Sequence, residues 1–381
     1  MTKGDWNPGH VTTPCLVVDK GKMQANLDRL ASLVAAQSIA LRPHLKTVKS
    51  IDAARFALPS RQAPATVSTL AEAEQFGQVG FTDLLYAVAV SPQKLDRVLA
   101  LRATGIDLKI IVDSVEMAEG VAARARQAGD PIPTLIEIDV DDHRSGVKPD
   151  DADHLRAIAA ELSNGASLHG VMTHAGESYE LSSESDRIVA ARQEAKRTVQ
   201  AATIMRDAGH ACPTVSVGST PTAFAPVARP GVTELRAGVY MFFDLVQAGI
   251  GACTPSDIAL SVLTTVIGHQ HAKDWIIVDA GWMALSRDRG TAGQKVDQFY
   301  GMVCNDAGEI LDDLVVLRTN QEHGVISVRP GTTGSVPDLP IGTRLRILPN
   351  HACATAAQHD RYHVVGEAGA ASEIWPRFGG W

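Results

Sequence analysis

The sequence predicts an α/β protein, a (β/α)8 barrel of TIM type followed by a C-terminal, mostly antiparallel β domain. Three observations carry this. Short β-rich apolar runs alternate with longer stretches of helical period between Lys22 and Val217. From Asp257 onward β-rich runs lie close together, separated by turn residues, and long helical patterns become scarce. No Gly-x-Gly-x-x-Gly opens a helix after an early strand, so the rival doubly wound sheet lacks its usual mark.

The runs that read as barrel strands are Ala40–Arg42, Ala65–Val67, Leu84–Val90, Leu108–Val112, Thr134–Ile138, Leu168–Met172 and Thr214–Val217. Between them, Lys22–Ala36, Leu70–Gln78, Pro92–Ala103, Val115–Gln127, Asp151–Glu161 and Ser183–Ala208 read as helices. Strand, helix, strand in series means parallel strands with crossover helices. The later runs, Leu260–Ile267, Trp275–Val278, Val325–Val328, Arg344–Ile347 and Tyr362–Val365, fit antiparallel strands. The expected division is a barrel over residues 20–256, with residues 1–19 and 257–381 in the β domain.

Composition narrows the function classes. The 381 residues are 45% apolar and 20% charged, with net charge -8. This is enough apolar content for a large core, and nothing in it invites a nucleic-acid partner. The N-terminal stretch is polar, and no run approaches the roughly 20 apolar residues of a membrane helix. A cytoplasmic location without a membrane partner is expected. Five scattered cysteines, an odd number, argue against a disulfide framework.

Several segments could carry chemistry. Lys46, in Arg42-Pro43-His44-Leu45-Lys46-Thr47, follows a strand at the end where barrels place catalytic groups. A nucleophilic lysine needs a lowered pKa, and Arg42 and Lys49 are neighbouring cations. Gly218-Ser219-Thr220-Pro221-Thr222 follows another strand and suits a phosphate, because glycine permits close backbone approach and hydroxyls donate. His351-Ala352-Cys353 offers two ligands on an extended segment for a borderline-soft divalent ion, with water or substrate completing the shell. His359-Asp360 reads either as a supporting pair for that metal or as a turn. His174 through Tyr179 brings an imidazole and a phenol to a third strand end, and Asp139 through Arg144 brings a guanidinium to a fourth. Each of these segments, standing alone, is commoner as ordinary structure.

Their order is more specific. The chain resembles the D-threonine aldolase and D-serine dehydratase family, within the alanine-racemase-like (fold type III) pyridoxal-phosphate enzymes. The resemblance runs from Thr13-Pro14-Cys15-Leu16-Val17-Val18-Asp19 through Arg42–Thr47, Glu137–Asp139 with Arg144–Val147, His174–Tyr179 and Gly218–Thr222. It continues through Arg236-Ala237-Gly238-Val239-Tyr240, Asp279-Ala280-Gly281-Trp282 and Gln321-Glu322-His323-Gly324 to Pro349–Thr355.

The resemblance implies pyridoxal 5'-phosphate at the barrel mouth and a divalent metal, zinc foremost with manganese or magnesium as alternatives. It implies a homodimer, and a first strand (Thr13–Asp19) packed in the β domain. Lys46 matches the Schiff-base lysine, and His44 falls in the cofactor segment. Gly218, Ser219, Thr220 and Tyr240 match the phosphate site. Arg144 would approach the cofactor's phenolic oxygen, and Tyr179, with His174 nearby, the reacting carbons. His351 and Cys353 match the metal ligands.

The implied activity is a lyase for small D-3-hydroxy-α-amino acids. Retro-aldol cleavage of D-threonine or D-allo-threonine to glycine and an aldehyde stands slightly ahead. Dehydration of D-serine to pyruvate and ammonia is the alternative. The His-x-Cys pair and the His-Ala-Gly-Glu-Ser-Tyr segment resemble the dehydratases, and the histidine many aldolases carry near position 180 is absent. Arg287-Asp288-Arg289-Gly290 looks more like bacterial aldolases. An amino-acid racemase and a non-catalytic cofactor-binding barrel are weaker readings, the first opposed by the metal pair and the second by the long region after Asp257.

Overall fold

The computed structural model describes residues 4–5, 11–142, 144–366 and 371–381. Parts of the N-terminal stretch, and His143 in the Asp139–Arg144 segment, lie outside the described residues. The chain separates into two compact units, Asp28–Gly238 with Gly379–Trp381, and Met1–Leu27 with Val239–Phe378. It begins with β1 (Gly4–Asp5), β2 (Cys15–Asp19) and α1 (Lys20–Ala35).

The unit from Asp28 is a barrel. Its elements run β3 (Ala40–Pro43), α2 (Ile51–Ala57), β4 (Ala65–Val67), α3 (Leu70–Gln78), β5 (Asp83–Ala89), α4 (Leu95–Ala103), β6 (Asp107–Val112) and α5 (Val115–Ala128). They continue with β7 (Pro133–Ile138), α6 (Ala152–Leu162), β8 (Ser167–Thr173), α7 (Glu184–Asp207), β9 (Thr214–Val217), α8 (Thr220–Ala223) and β10 (Glu234–Ala237). Strands β4 to β10 pair in sequence order, β10 pairs with β3, and every pairing is parallel. A bridge between His44 and Thr66, with Leu45 N donating to the Thr66 carbonyl at 2.8 Å, nearly closes the ring.

Local chemistry explains the helix starts. Thr69, Ser114, Asp151 and Ser183 each accept a backbone N–H from the first turn of the helix they precede. Helix α5 buries Ala118, Val121, Ala122 and Ala125, one stripe of helical period, and ends on Gly129 at φ 69°.

The barrel interior holds a layer of charge. Arg42 Nε meets Glu234 Oε2 at 2.8 Å, and Asp83 Oδ1 lies 2.8 Å from Arg42 Nη1 and 2.9 Å from Lys109 Nζ. Two residues further along their strands, Leu85 and Ile111 form an apolar cluster with Leu135 and Met172. This explains why β10 carries no strand signature. Its alternate residues Glu234 and Arg236 are buried ions, so Glu-Leu-Arg-Ala shows no apolar run.

The other unit contains β2, α9 (Leu245–Ile250), β11 (Leu260–Gln270), β12 (Trp275–Val278), α10 (Trp282–Leu285), β13 (Met302–Asn305), β14 (Ile310–Thr319) and β15 (Gly324–Val328). Then come β16 (Arg344–Leu348), α11 (Ala352–Ala356), β17 (Arg361–Val365) and β18 (Ala371–Pro376). Six strands close on themselves in the order β11-β12-β15-β14-β13-β16, with β16 returning to β11. Strand β2 runs antiparallel to β11 and parallel to β17. Residues 239–256 belong with this unit: Leu245 N and Val246 N donate to the carbonyls of Pro349 and Asn350 at 3.0 and 3.2 Å. None of the five cysteines forms a disulfide. No helix among the described residues is long and apolar enough to cross a membrane.

Candidate active site

The barrel strands end together, and the sequence-selected residues of that unit follow their C-terminal ends. Beyond β3, His44 N donates to the Ala237 carbonyl at 2.7 Å, which ties the loop to β10. Leu45 is buried while Lys46 is exposed. Lys46 N lies 3.4 Å from His44 Nδ1.

Two imidazoles flank this loop electrostatically. Burial, then the charges of Lys46 and Arg236, hold His44 well below the usual histidine range. Burial, then Lys46 and Arg144, lower His174 to about 3. Both rings are neutral near pH 7. His174 Nδ1 stands 3.2 Å from the Gly218 carbonyl, which can only accept, so Nδ1 carries the proton and Nε2 is free to accept one. The Tyr179 ring lies 6.0 Å from the His174 ring. Beyond β7, Arg144 Nη2 is 3.6 Å from Glu137 Oε1, and Ser145 Oγ donates to Glu137 Oε2 at 3.0 Å.

The Gly218–Thr220 turn is shaped by close packing. Gly218 has φ 144°, and a Cβ there would stand 1.9 Å from the Arg236 carbonyl oxygen. Ser219 Oγ lies 2.7 Å from Ser178 Oγ and 3.0 Å from Thr222 Oγ1. Thr220 Oγ1 is buried and has no hydrogen-bond partner among the described residues. A buried hydroxyl left unmet is an ordinary cost unless a further group meets it. A primary amine at the loop, two neutral imidazoles, a phenol, a guanidinium and this hydroxyl-lined turn fit pyridoxal phosphate. Tyr240 belongs to the other unit and is fully buried.

The metal pair is built differently from the expectation. The reading of one extended segment holds only for His351 (φ -136°, ψ 108°), because α11 begins at Ala352 and takes Cys353 into its first turn. The two side chains still hydrogen-bond to each other. His351 Nδ1 stands 2.6 Å from Asp288 Oδ2. Burial by itself would lower His351, but the Asp288 and Cys353 hydrogen bonds outweigh it and raise the ring to about 11. Imidazole and thiol in contact, with a carboxylate behind the imidazole, fit a divalent ion. No group of three or more His, Cys, Asp or Glu able to hold a metal occurs among the described residues. His359 and Asp360 do not support this pair: His359 Nε2 bonds the Ala284 carbonyl at 3.0 Å and Asp360 pairs with Arg361.

Three supporting carboxyls escaped the sequence reading. Glu194, mid-helix in α7, accepts Gly218 N at 2.9 Å. Asp244 caps α9 and accepts Ala352 N at 2.9 Å. Asp288 lies in a segment noted only for its resemblance. Nothing local marks Glu194 or Asp244, because the groups they serve are far away in sequence.

Comparison with known proteins places the chain. Residues 18–246 match the alanine racemase N-terminal domain, and residues 259–365 a serine dehydratase domain. The chain is 50% identical over 372 residues to D-threo-3-hydroxyaspartate dehydratase of Delftia sp. (strain HT23), covering 97% of this chain and 98% of that protein. It is 30% identical over 368 residues to D-threonine aldolase of Arthrobacter sp, covering 96% and 92%. A solved D-threo-3-hydroxyaspartate dehydratase, the C353A mutant in the metal-free form, matches with a TM-score of 0.96 and 49% identity over 99% of this chain and 100% of that one. The chain therefore belongs to the alanine-racemase-like, fold type III family, among its lyases of D-hydroxy amino acids.

Proposed function

We propose that the protein is a pyridoxal-phosphate- and divalent-metal-dependent dehydratase of D-3-hydroxy-α-amino acids, with D-threo-3-hydroxyaspartate as the leading substrate. The observation that carries this is the 50% identity to such a dehydratase across almost the full length of both chains. The touching His351 and Cys353 support it as a candidate metal pair, and a solved relative is a C353A mutant in the metal-free form. Retro-aldol cleavage, slightly ahead on sequence alone, becomes the second reading. It retains support from the 30% identity to a D-threonine aldolase.

In this reading Lys46 would hold the cofactor through its side-chain amine and would be the base for the substrate's α-proton. Gly218, Ser219, Thr220 and Tyr240 hold the phosphate. Arg144 faces the phenolic oxygen, and His44 borders the ring. Tyr179 and His174 line the substrate, with the neutral His174 able to accept a hydrogen bond at Nε2. His351 and Cys353 hold the ion, with zinc the best match to an imidazole and a thiolate. When bound, the cofactor supplies an electron sink at Cα and the ion a Lewis acid for the β-hydroxyl.

Incubation with D-threo-3-hydroxyaspartate, D-serine and D-threonine, each with and without chelator, tests the proposal. Loss of water followed by hydrolysis of the resulting imine gives oxaloacetate and ammonia from the first, and pyruvate and ammonia from the second. Chelator-sensitive ammonia release is expected. Glycine with an aldehyde would replace this reading by the aldolase, and chelator-insensitive interconversion of alanine enantiomers by the racemase. Lys46→Ala should remove the absorbance at roughly 420 nm expected of the bound cofactor.

A further inference from the structure

We infer that Asp288 is a positioning residue for the metal site, fixing the tautomer and orientation of His351 so that Nε2 is the nitrogen offered to the ion. The inference rests on the metal-dependent reading above and extends it to a residue that touches neither cofactor nor substrate in that reading.

The geometry is specific. Asp288 Oδ2 lies 2.6 Å from His351 Nδ1. A carboxylate only accepts, so Nδ1 keeps its hydrogen, and the proton that a ligating imidazole gives up to the ion is the one on Nε2. The carboxylate is itself held. Its Oδ1 accepts Gly290 N at 2.8 Å, and Asp288 N donates to Ser286 Oγ at 3.2 Å. The Asp288 carbonyl accepts Asn350 Nδ2 at 3.1 Å, which joins the loop to the residue before His351.

The chain on either side of His351 is pinned separately. Asn350 Oδ1 accepts Thr291 Oγ1 at 3.1 Å, and Asp244 Oδ2 accepts Ala352 N at 2.9 Å. These contacts set the backbone, while Asp288 bonds the ring. The ring is half-exposed, so packing alone holds it weakly. The Asp288 carboxylate thus stands directly behind the ligating ring. Such an anion raises the basicity of a ligating imidazole, and its loss typically costs 10–100-fold in metal affinity.

The test is metal binding, independent of turnover. The cofactor-loaded protein is stripped with chelator and titrated with Zn(II) in competition with a chromophoric chelator, then with Co(II) to read the thiolate-to-metal band. Asp288→Ala should weaken zinc binding about 10–100-fold and keep the cobalt–thiolate band. Asp288→Asn should recover part of the loss, because an amide oxygen still accepts from Nδ1–H. Its amide nitrogen must then face the Gly290 N–H in place of Oδ1, so the recovery is partial; being close to isosteric, it reports even if the alanine variant folds poorly. Unchanged affinity in both variants would overturn the inference. So would complete loss in Asp288→Asn, equal to that of His351→Ala, which would make Asp288 a ligand. If the unsubstituted protein takes up neither ion, the metal-dependent reading itself fails and the inference with it.

Discussion

Glu194 accepts the backbone N–H of Gly218 at 2.9 Å and does so as a fully buried acid. Burial pushes its carboxyl above the usual 4.5, against the opposing pull of the Thr222 hydroxyl, Arg229 and Arg236. Above pH 4.5 the unfolded chain therefore releases a proton that the folded chain retains. This stabilisation is fully present below the unfolded value and is lost as pH rises through the folded one. Glu194→Gln, which mimics the neutral acid, should remove that decline, so its melting temperature should gain on the parent as pH rises. Glu194→Ala strands the Gly218 N–H and should cost about 1–3 kcal/mol, read by denaturant unfolding. A parallel pH profile for Glu194→Gln and the parent would refute the upward shift.

Thr220 offers a different test. Its buried hydroxyl has no partner among the described residues, so Thr220→Val removes no protein contact. Stability of the cofactor-free protein should change by less than about 1 kcal/mol. Affinity for pyridoxal phosphate should fall about tenfold, the worth of one hydrogen bond to a charged group. Equal cofactor affinity would place the phosphate elsewhere.

Gly218 admits no side chain. A Cβ would sit 1.9 Å from the Arg236 carbonyl oxygen, and the φ of 144° disfavours any L-residue. Gly218→Ala should destabilise the barrel by about 3 kcal/mol or more. A melting temperature within a degree or two of the parent would show that β9 and β10 can separate at no cost.

Glu234 tests the charged layer inside the barrel. It pairs with Arg42 at 2.8 Å and accepts the Ser216 hydroxyl at 2.5 Å. Glu234→Ala leaves the buried guanidinium with Asp83 and should cost about 3–5 kcal/mol. Glu234→Gln keeps an oxygen for Arg42 and can donate its amide N–H to the Ser216 hydroxyl, so it should cost less. Equal losses would mean that the charge of Glu234 contributes nothing beyond its shape.

Much of the fold was legible because it follows from local pattern. Helix α3 spans Leu70–Gln78 as its periodicity predicts, with Thr69 as cap. The apolar strands β4 to β9 lie within a residue of expectation. Strand β10 was not legible, because burial of a charge depends on a partner that another strand supplies. Helix α2, which follows the Lys46 loop and has only seven residues, was too short to show a period. In the β unit, β13 and β14 were missed, the latter because Leu-Asp-Asp-Leu breaks its apolar run.

The candidate site divides in the same way. Lys46, Gly218–Thr220, His174 with Tyr179, and His351 with Cys353 are each marked by residue types within a few positions, at ends of strands that local pattern locates. The sequence alone therefore determined the family and marked these groups as the candidates for its site. Only the tertiary structure decided what holds them. Glu194 reaches Gly218 across 24 positions, and Asp288 reaches His351 across 63. Hydrogen bonds at such distances along the chain exist because two elements pack, and a carboxylate bears no local sign of the group it will meet.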